Sequence, residues 1–208
     1  MAGKPEKPSR RHWTDTLFAV AALFVSAVSL WVGIRTETAN EQLVAASSWP
    51  FLQVQISNAD ANAKLDLQFS VENTGVGPAK VETFEVFWNG KPFRSAAELL
   101  GACCGYKVVP ATSPDAKNHT PLITGTVQGA VLRPGEPKTF IHYALNADNL
   151  AVWKKLDKAR EQMSYRVCYC SVLNDCWRNV LRSELYFPGQ LHPEKARTCP
   201  VPVVAYTK

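Results

Sequence analysis

Residues 16–34, TLFAVAALFVSAVSLWVGI, contain no charged side chain. At 1.5 Å per residue such a helix is about 28 Å long, close to the ~30 Å hydrocarbon core of a bilayer. Trp13 and Trp31 stand near its two ends, where amphipathic rings favour the headgroup zone. A signal peptide is the rival reading, but its apolar region usually runs only ~7–15 residues before a small-residue cleavage site. Here the best Val-x-Ala site, Val44 with Ala46, lies far downstream. The run therefore reads as an uncleaved transmembrane helix.

Charge orients it. Lys4, Lys7, Arg10 and Arg11 precede the span, and only Arg35 follows it before Lys64. Basic flanks stay cytoplasmic. The expectation is an inner (plasma) membrane protein, single-pass, with residues 1–15 a basic cytoplasmic tail and the lipid bilayer as its first partner. Everything from residue 35 onward is then periplasmic. The formal charge of +5 does not point to nucleic acid: the N-terminal dozen residues carry +3 of it, and the other 19 basic and 17 acidic residues nearly cancel.

Within the span, Ala22, Ser26, Ser29 and Gly33 recur at spacings of four, three and four. Small residues along one side let two helix backbones approach closely, so this stripe is a candidate interface for a second copy or for another envelope protein. The helix is expected to continue as a stalk over 35–48 and to stop at Ser48-Trp49-Pro50, because Pro cannot extend it.

Beyond the stalk the apolar period changes to two. Leu52, Val54 and Ile56 alternate with polar residues; so do Leu65, Leu67, Phe69 and Val71, and then Phe84, Val86 and Trp88. Such alternation marks half-buried strands, and Asn89-Gly90 marks a tight hairpin turn. Residues 95–105 predict a short helix capped by Ser95. Residues 121–132 predict an irregular strand, and 133–145 a turn feeding another. Residues 146–163 predict a helix with Leu150, Trp153, Leu156 and Met163 on its apolar side, and Lys154, Lys155, Lys158 and Arg160 on a solvated face. His142 falls in a strand, as a packed residue rather than a ligand. The domain is expected over 49–188, with 189–208 an irregular tail.

All six cysteines, Cys103, Cys104, Cys168, Cys170, Cys176 and Cys199, lie on the exported side. An even count in an oxidising compartment reads first as disulfides, and spacing cannot choose the connectivity. In SYRVCYCSV, Tyr165, Val167 and Tyr169 share one face, and Cys168 and Cys170 the other. In CWRNVLRSELYF, Trp177, Leu181, Leu185 and Phe187 fit the core face, with Cys176 away from it in phase with Arg178 and Arg182. Cysteines out of the core phase suit crosslinks: a local Cys170–Cys176 bridge, or bridges to the helix near 95–104. The vicinal Cys103-Cys104 pair offers a bridge to itself. Zinc or copper is the runner-up, with His192 near Cys199 the one histidine close in sequence to a cysteine. A paired CxxC frame is missing, so neither metal nor cofactor is expected.

NTGVGPAK, residues 73–80, superficially resembles a phosphate loop. Those loops run from strand to helix, whereas strands flank this one. The expectation is a turn: Asn73 opens it, Gly75 and Gly77 supply positive φ, and Pro78 stiffens the exit. Neither a GxSxG nor an HExxH nor a Walker pattern occurs, and Asn118-His119-Thr120 is a short glycosylation sequon.

The stretch LDLQFSVENTGVGPAKVETFEVFWNGKPF resembles the start of the cell-adhesion-related domain found in bacteria, an immunoglobulin-like sandwich in which a strand ends in Asn-x-Gly, a small-residue turn follows, and the next strand runs to a Gly hairpin. LRPGEPKTF is similar to a later turn and strand of that domain. Bacterial proteins that pair one N-terminal anchor with such a domain are similar in plan. The resemblance covers about a third of the chain, and the two helices and six cysteines depart from it. It implies a mainly β, antiparallel immunoglobulin-like β-sandwich with two helical insertions after one transmembrane helix, and a non-catalytic role in interaction or envelope scaffolding. The alternatives are a periplasmic sensor or ligand-binding subunit, or a thiol-redox or metal-binding protein using Cys168 and Cys170.

Overall fold

The computed structural model describes residues 11–110, 112–114, 120–182 and 193–207. The sequon at Asn118, the core positions expected at Leu185 and Phe187, the candidate ligand His192, and most of the basic tail lie outside the described residues. Two units divide the chain, Met1–Ala46 and Ser47–Lys208.

The described residues of the first unit lie in helix α1, Arg11–Ser47, 37 residues without a break. It is long and apolar enough to cross a membrane. Phe18, Leu23, Phe24 and Leu30 are all exposed along it. Its hydroxyls turn inward on their own backbone: Ser26 Oγ donates to the Ala22 carbonyl at 2.8 Å, and Thr36 Oγ1 to the Val32 carbonyl at 2.9 Å. The Arg35 guanidinium lies 5.5 Å over the Trp31 ring, where the uncharged run ends.

The second unit holds two antiparallel sheets. Strands β1 (Leu52–Ala59), β2 (Leu65–Asn73), β7 (Pro137–Ala144) and the two-residue β5 (Ile123–Thr124) form one, in the order β1-β2-β7-β5. Strands β3 (Ala79–Trp88), β4 (Lys91–Phe93), β8 (Met163–Cys170), β9 (Cys176–Arg182) and β10 (Glu194–Ala196) form the other, in the order β10-β9-β8-β3-β4, and β6 (Val131–Leu132) pairs with β3. The irregular strand expected over 121–132 is these two short pieces, β5 and β6, in different sheets. Asn89 (φ 50°) and Gly90 (φ 75°) make the predicted hairpin turn between β3 and β4.

Helix α2, Ala96–Cys104, starts where the cap was expected: the Glu98 amide donates to Ser95 Oγ at 3.2 Å. Helix α3, Leu150–Ala159, packs on α2. It is shorter than its apolar pattern suggested. Met163 is not on it but opens β8, and Leu150 is exposed, so Trp153 and Leu156 carry its packing. Among the described residues helix and strand each take up 33 %, so "mainly β" understates α1.

The core is aromatic and joins the sheets. Phe140 of β7 lies 5.1 Å from Phe84 of β3, 5.5 Å from Tyr165 of β8 and 6.2 Å from Phe69 of β2, ring centre to ring centre. The first two pairs are edge-to-face, and such pairs add about 0.5–1.5 kcal/mol each beyond area burial. Tyr206, from the segment expected to be an irregular tail, completes the cluster 5.9 Å from both Phe84 and Phe140. Within that segment residues 194–196 form β10 and Tyr206 adds a core side chain, while 197–207 have no regular element; both features belong to the second unit.

Burial raises the phenol pKa of Tyr165 and Tyr206, and pushes that of Tyr169 up to about 12. Each titrates at 10.0 when unperturbed. The folded state therefore holds these protons more tightly than the unfolded state. The corresponding stability is complete below pH 10.0 and is lost as pH climbs toward 12 and beyond. An alkaline titration followed by phenolate absorbance should show a group of tyrosines ionising together with loss of the near-ultraviolet dichroism. Ionisation of every tyrosine near pH 10.0 with the fold intact would contradict this.

Candidate functional site

Two constructions in the second unit hold the residues that the sequence singled out. The first is a clasp built on the turn after β2. Asn73 is fully buried, and all of its side-chain polar groups are used. Its Oδ1 accepts from the Phe51 amide at 3.2 Å and the Gly75 amide at 3.1 Å. Its Nδ2 donates to the Gly77 carbonyl at 2.8 Å and the Leu132 carbonyl at 3.0 Å. The Val76 and Gly77 amides then donate to the Trp49 carbonyl at 3.0 and 3.1 Å, and Thr74 N donates to Phe51 O at 2.8 Å.

The glycines of this turn correct the sequence reading. Neither Gly75 nor Gly77 has positive φ. They are required because backbone passes against backbone. A Cβ at Gly75 would stand less than 3.0 Å from Phe51 N and Trp49 O, and one at Gly77 less than 3.0 Å from the Ser48 carbonyl. Residues 48–51, the first after α1, are held in the groove that the two missing side chains leave. Pro78 leads from it into β3.

The second construction is a seam of sulfur on β8 and β9. Tyr165, Val167 and Tyr169 point into the core, fully buried, and Cys168 and Cys170 occupy the opposite face, as alternation demands. That face is also covered: Cys168, Cys170 and Cys176 are 2 %, 5 % and 6 % exposed. Cys170 and Cys176 are direct partners across the β8–β9 hairpin and are bridged, with Cα atoms 4.0 Å apart. Cys168 is bridged to Cys199, Cα to Cα 5.6 Å. Cys103 and Cys104 are bridged to each other at the end of α2, which excludes the alternative of bridges from that helix to the strands. All six cysteines are therefore paired.

The two bridges of the seam lie side by side. Cys170 Sγ and Cys199 Sγ are 3.9 Å apart, and the sulfurs of Cys170, Cys176 and Cys199 fall within 4.8 Å of one another. In this bridged state each sulfur is bonded to sulfur, so none offers the thiolate that a metal or an electrophile would need.

Cys199 belongs to a strap that crosses the second sheet. β10 pairs with β9, placing Ala196 opposite Cys176, and Arg178–Glu194 and Lys195–Asp175 ion pairs flank it at 2.8 and 2.9 Å. Past Cys199, the Val203 and Val204 amides donate to Glu85 Oε1 at 2.8 and 3.1 Å. Glu85 of β3 is 3 % exposed, and its other oxygen accepts from Arg166 Nη1 at 3.2 Å. The Arg166 guanidinium in turn lies 4.8 Å over the Phe87 ring. Finally the Tyr206 amide donates to the Phe84 carbonyl at 3.0 Å, and the Thr207 amide to the Arg94 carbonyl at 2.7 Å. Tyr206 N thus meets β3 between its pairings with β6 and β4.

Sequence reasoning missed Glu85 and Tyr206. Glu85 carried a signal, because it stands in the polar phase of a strand between Phe84 and Val86. Tyr206 carried none, since its surroundings have no periodicity. His142 sits in β7 with Nε2 2.8 Å from Asp66 Oδ2 on the neighbouring strand. Ala22, Ser26, Ser29 and Gly33 lie on α1. Neither protein-family models nor curated proteins give a match to this chain.

Proposed function

We propose that this chain is a non-catalytic interaction or scaffolding protein of the bacterial envelope. In this reading α1 is an uncleaved single span in the inner membrane, with the N-terminus cytoplasmic. Residues 47–208 form an immunoglobulin-like sandwich with two helical insertions, standing in the periplasm. The observation that carries the reading is bracing at both ends of the domain: the Asn73 clasp holds residues 48–51, and the strap from Cys199 to Tyr206 holds the other end. A domain that presents a surface to a partner gains from such rigidity, because less ordering entropy remains to be lost on binding. Three disulfides fit the oxidising compartment that the charge asymmetry around the span predicts.

Topology is the first test. A reporter active only in the periplasm, fused after Lys208, should be active. A cytoplasmic reporter active at the same position would remove both the compartment and the disulfide argument.

The partner is another envelope protein or a second copy, met through the stripe Ala22, Ser26, Ser29 and Gly33. Because Ser26 Oγ is already engaged with Ala22 O, close packing rather than hydrogen bonding across helices would drive the pairing. Ser26→Leu or Gly33→Leu should weaken the signal in a membrane two-hybrid assay at least several-fold, while Ala21→Leu should not. Equal signals from all three variants and the parent would leave α1 as an anchor alone.

A further inference from the structure

We propose that the two bridges of the seam are an exchange pair. When a dithiol reductant opens Cys168–Cys199, the freed Cys199 thiolate displaces Cys176 from Cys170. The strap then moves its anchor two residues along β8 and releases Cys176 at the hairpin. Three observations carry this. Cys199 is the half-buried member of the four, while Cys168, Cys170 and Cys176 are almost fully covered, so an incoming thiolate meets Cys199 Sγ first. Cys199 Sγ stands 3.9 Å from Cys170 Sγ, beside the Cys170–Cys176 bond, so once its own bridge opens the Cys199 side chain has only to turn about its Cα–Cβ bond to come into line with that bond. And the strap reaches that rung: Ala196 of β10, three residues before Cys199, is paired with Cys176, which is itself paired with Cys170.

The chemistry balances in two stages. The reductant's first thiolate attacks Cys199 Sγ, and Cys168 leaves as a thiolate. The reductant's second thiol then closes on its own mixed disulfide and expels the Cys199 thiolate, so two electrons enter the protein and the reductant ends as a disulfide. In the second stage the Cys199 thiolate attacks Cys170 Sγ. The Cys170–Cys199 bond forms, the Cys170–Cys176 bond breaks, and Cys176 leaves as a thiolate that takes a proton from water. That stage is redox-neutral. The seam is left with one bridge and two thiols, Cys168 and Cys176. Cys168 and Cys170 point to the same face of β8 and stand about 6.6 Å apart along it, which is the distance the anchor moves. A dithiol would thereby transfer the strap's anchor from Cys168 to Cys170 without unfolding the domain.

The test uses the full chain in detergent, without denaturant, and dithiothreitol at less than one equivalent. Thiols are trapped with N-ethylmaleimide. Chymotrypsin, cutting after Tyr169 and Leu173, then separates Cys168, Cys170 and Cys176 onto different peptides. Among molecules whose Cys168–Cys199 bridge has opened, a Cys170–Cys199 peptide should be at least as abundant as intact Cys170–Cys176, with label on Cys168 and Cys176. A lower abundance, with label on Cys168 and Cys199, overturns the proposal. The Cys168→Ser chain is a second arm: oxidised, it should carry its free thiol on Cys176, and a free thiol on Cys199 alone overturns the exchange.

Discussion

Tyr206→Ala should cost the domain about 3–5 kcal/mol, the range for removing a large buried ring from a packed core. The ring is fully buried against Phe84 and Phe140, and its hydroxyl donates to the Phe140 carbonyl at 3.4 Å. Its truncation leaves a hole at the meeting point of both sheets. It also removes the side chain that draws the strap into the core, so the loss should spread to the amides of Val203, Val204 and Thr207. Tyr206→Phe keeps the ring and gives up one long hydrogen bond, which is worth about 1 kcal/mol or less. Urea unfolding of the full chain in detergent, followed by near-ultraviolet dichroism, separates the two variants. Equal midpoints for Tyr206→Ala and the parent would mean that residues 199–207 do not pack as described.

Removing Cys168–Cys199 by paired alanine substitution should be the next largest loss. The bridge spans a sequence separation of 31, for which loop-closure entropy in the unfolded chain amounts to about 3–4 kcal/mol. The same treatment of Cys170–Cys176, separation 6, should cost about 2 kcal/mol. The ordering of the two follows from their loop lengths, 31 against 6. Hydrogen exchange adds a local readout: without the first bridge the Val203 and Val204 amides should lose protection, whereas the second bridge is tied mainly to the hairpin. A Cys170–Cys176 deletion more damaging than the Cys168–Cys199 deletion would reverse the roles assigned to them.

Much of the frame was legible because it is written in local repeats. The uncharged run over 16–34 is far longer than a single strand and carries no proline, and α1 covers all of it. Alternation at Leu52–Ala59, Leu65–Asn73 and Met163–Cys170 marks strands because a pleated chain turns successive side chains to opposite faces. Ser95 and Asn89-Gly90 act through backbone geometry that spans only a few residues. Alternation also put Cys168 and Cys170 opposite Tyr165, Val167 and Tyr169. It was silent on what covers that opposite face.

Tertiary structure decided the rest, because the rest depends on which distant segments meet. The partner of Cys168 is Cys199 because β10 pairs with β9 and carries the chain back over β8, a register that no spacing encodes. Gly75 and Gly77 looked like residues chosen for their φ. They are chosen for their missing Cβ, and that is visible only once residues 48–51 lie against them. Glu85 is an alternating polar residue until Val203, Val204 and Arg166 converge on its carboxylate. Tyr206 is one aromatic in an aperiodic segment until Phe84 and Phe140 surround it. A local pattern records how a residue faces its neighbours in the chain. Only the packed sheets determine what stands on the other side.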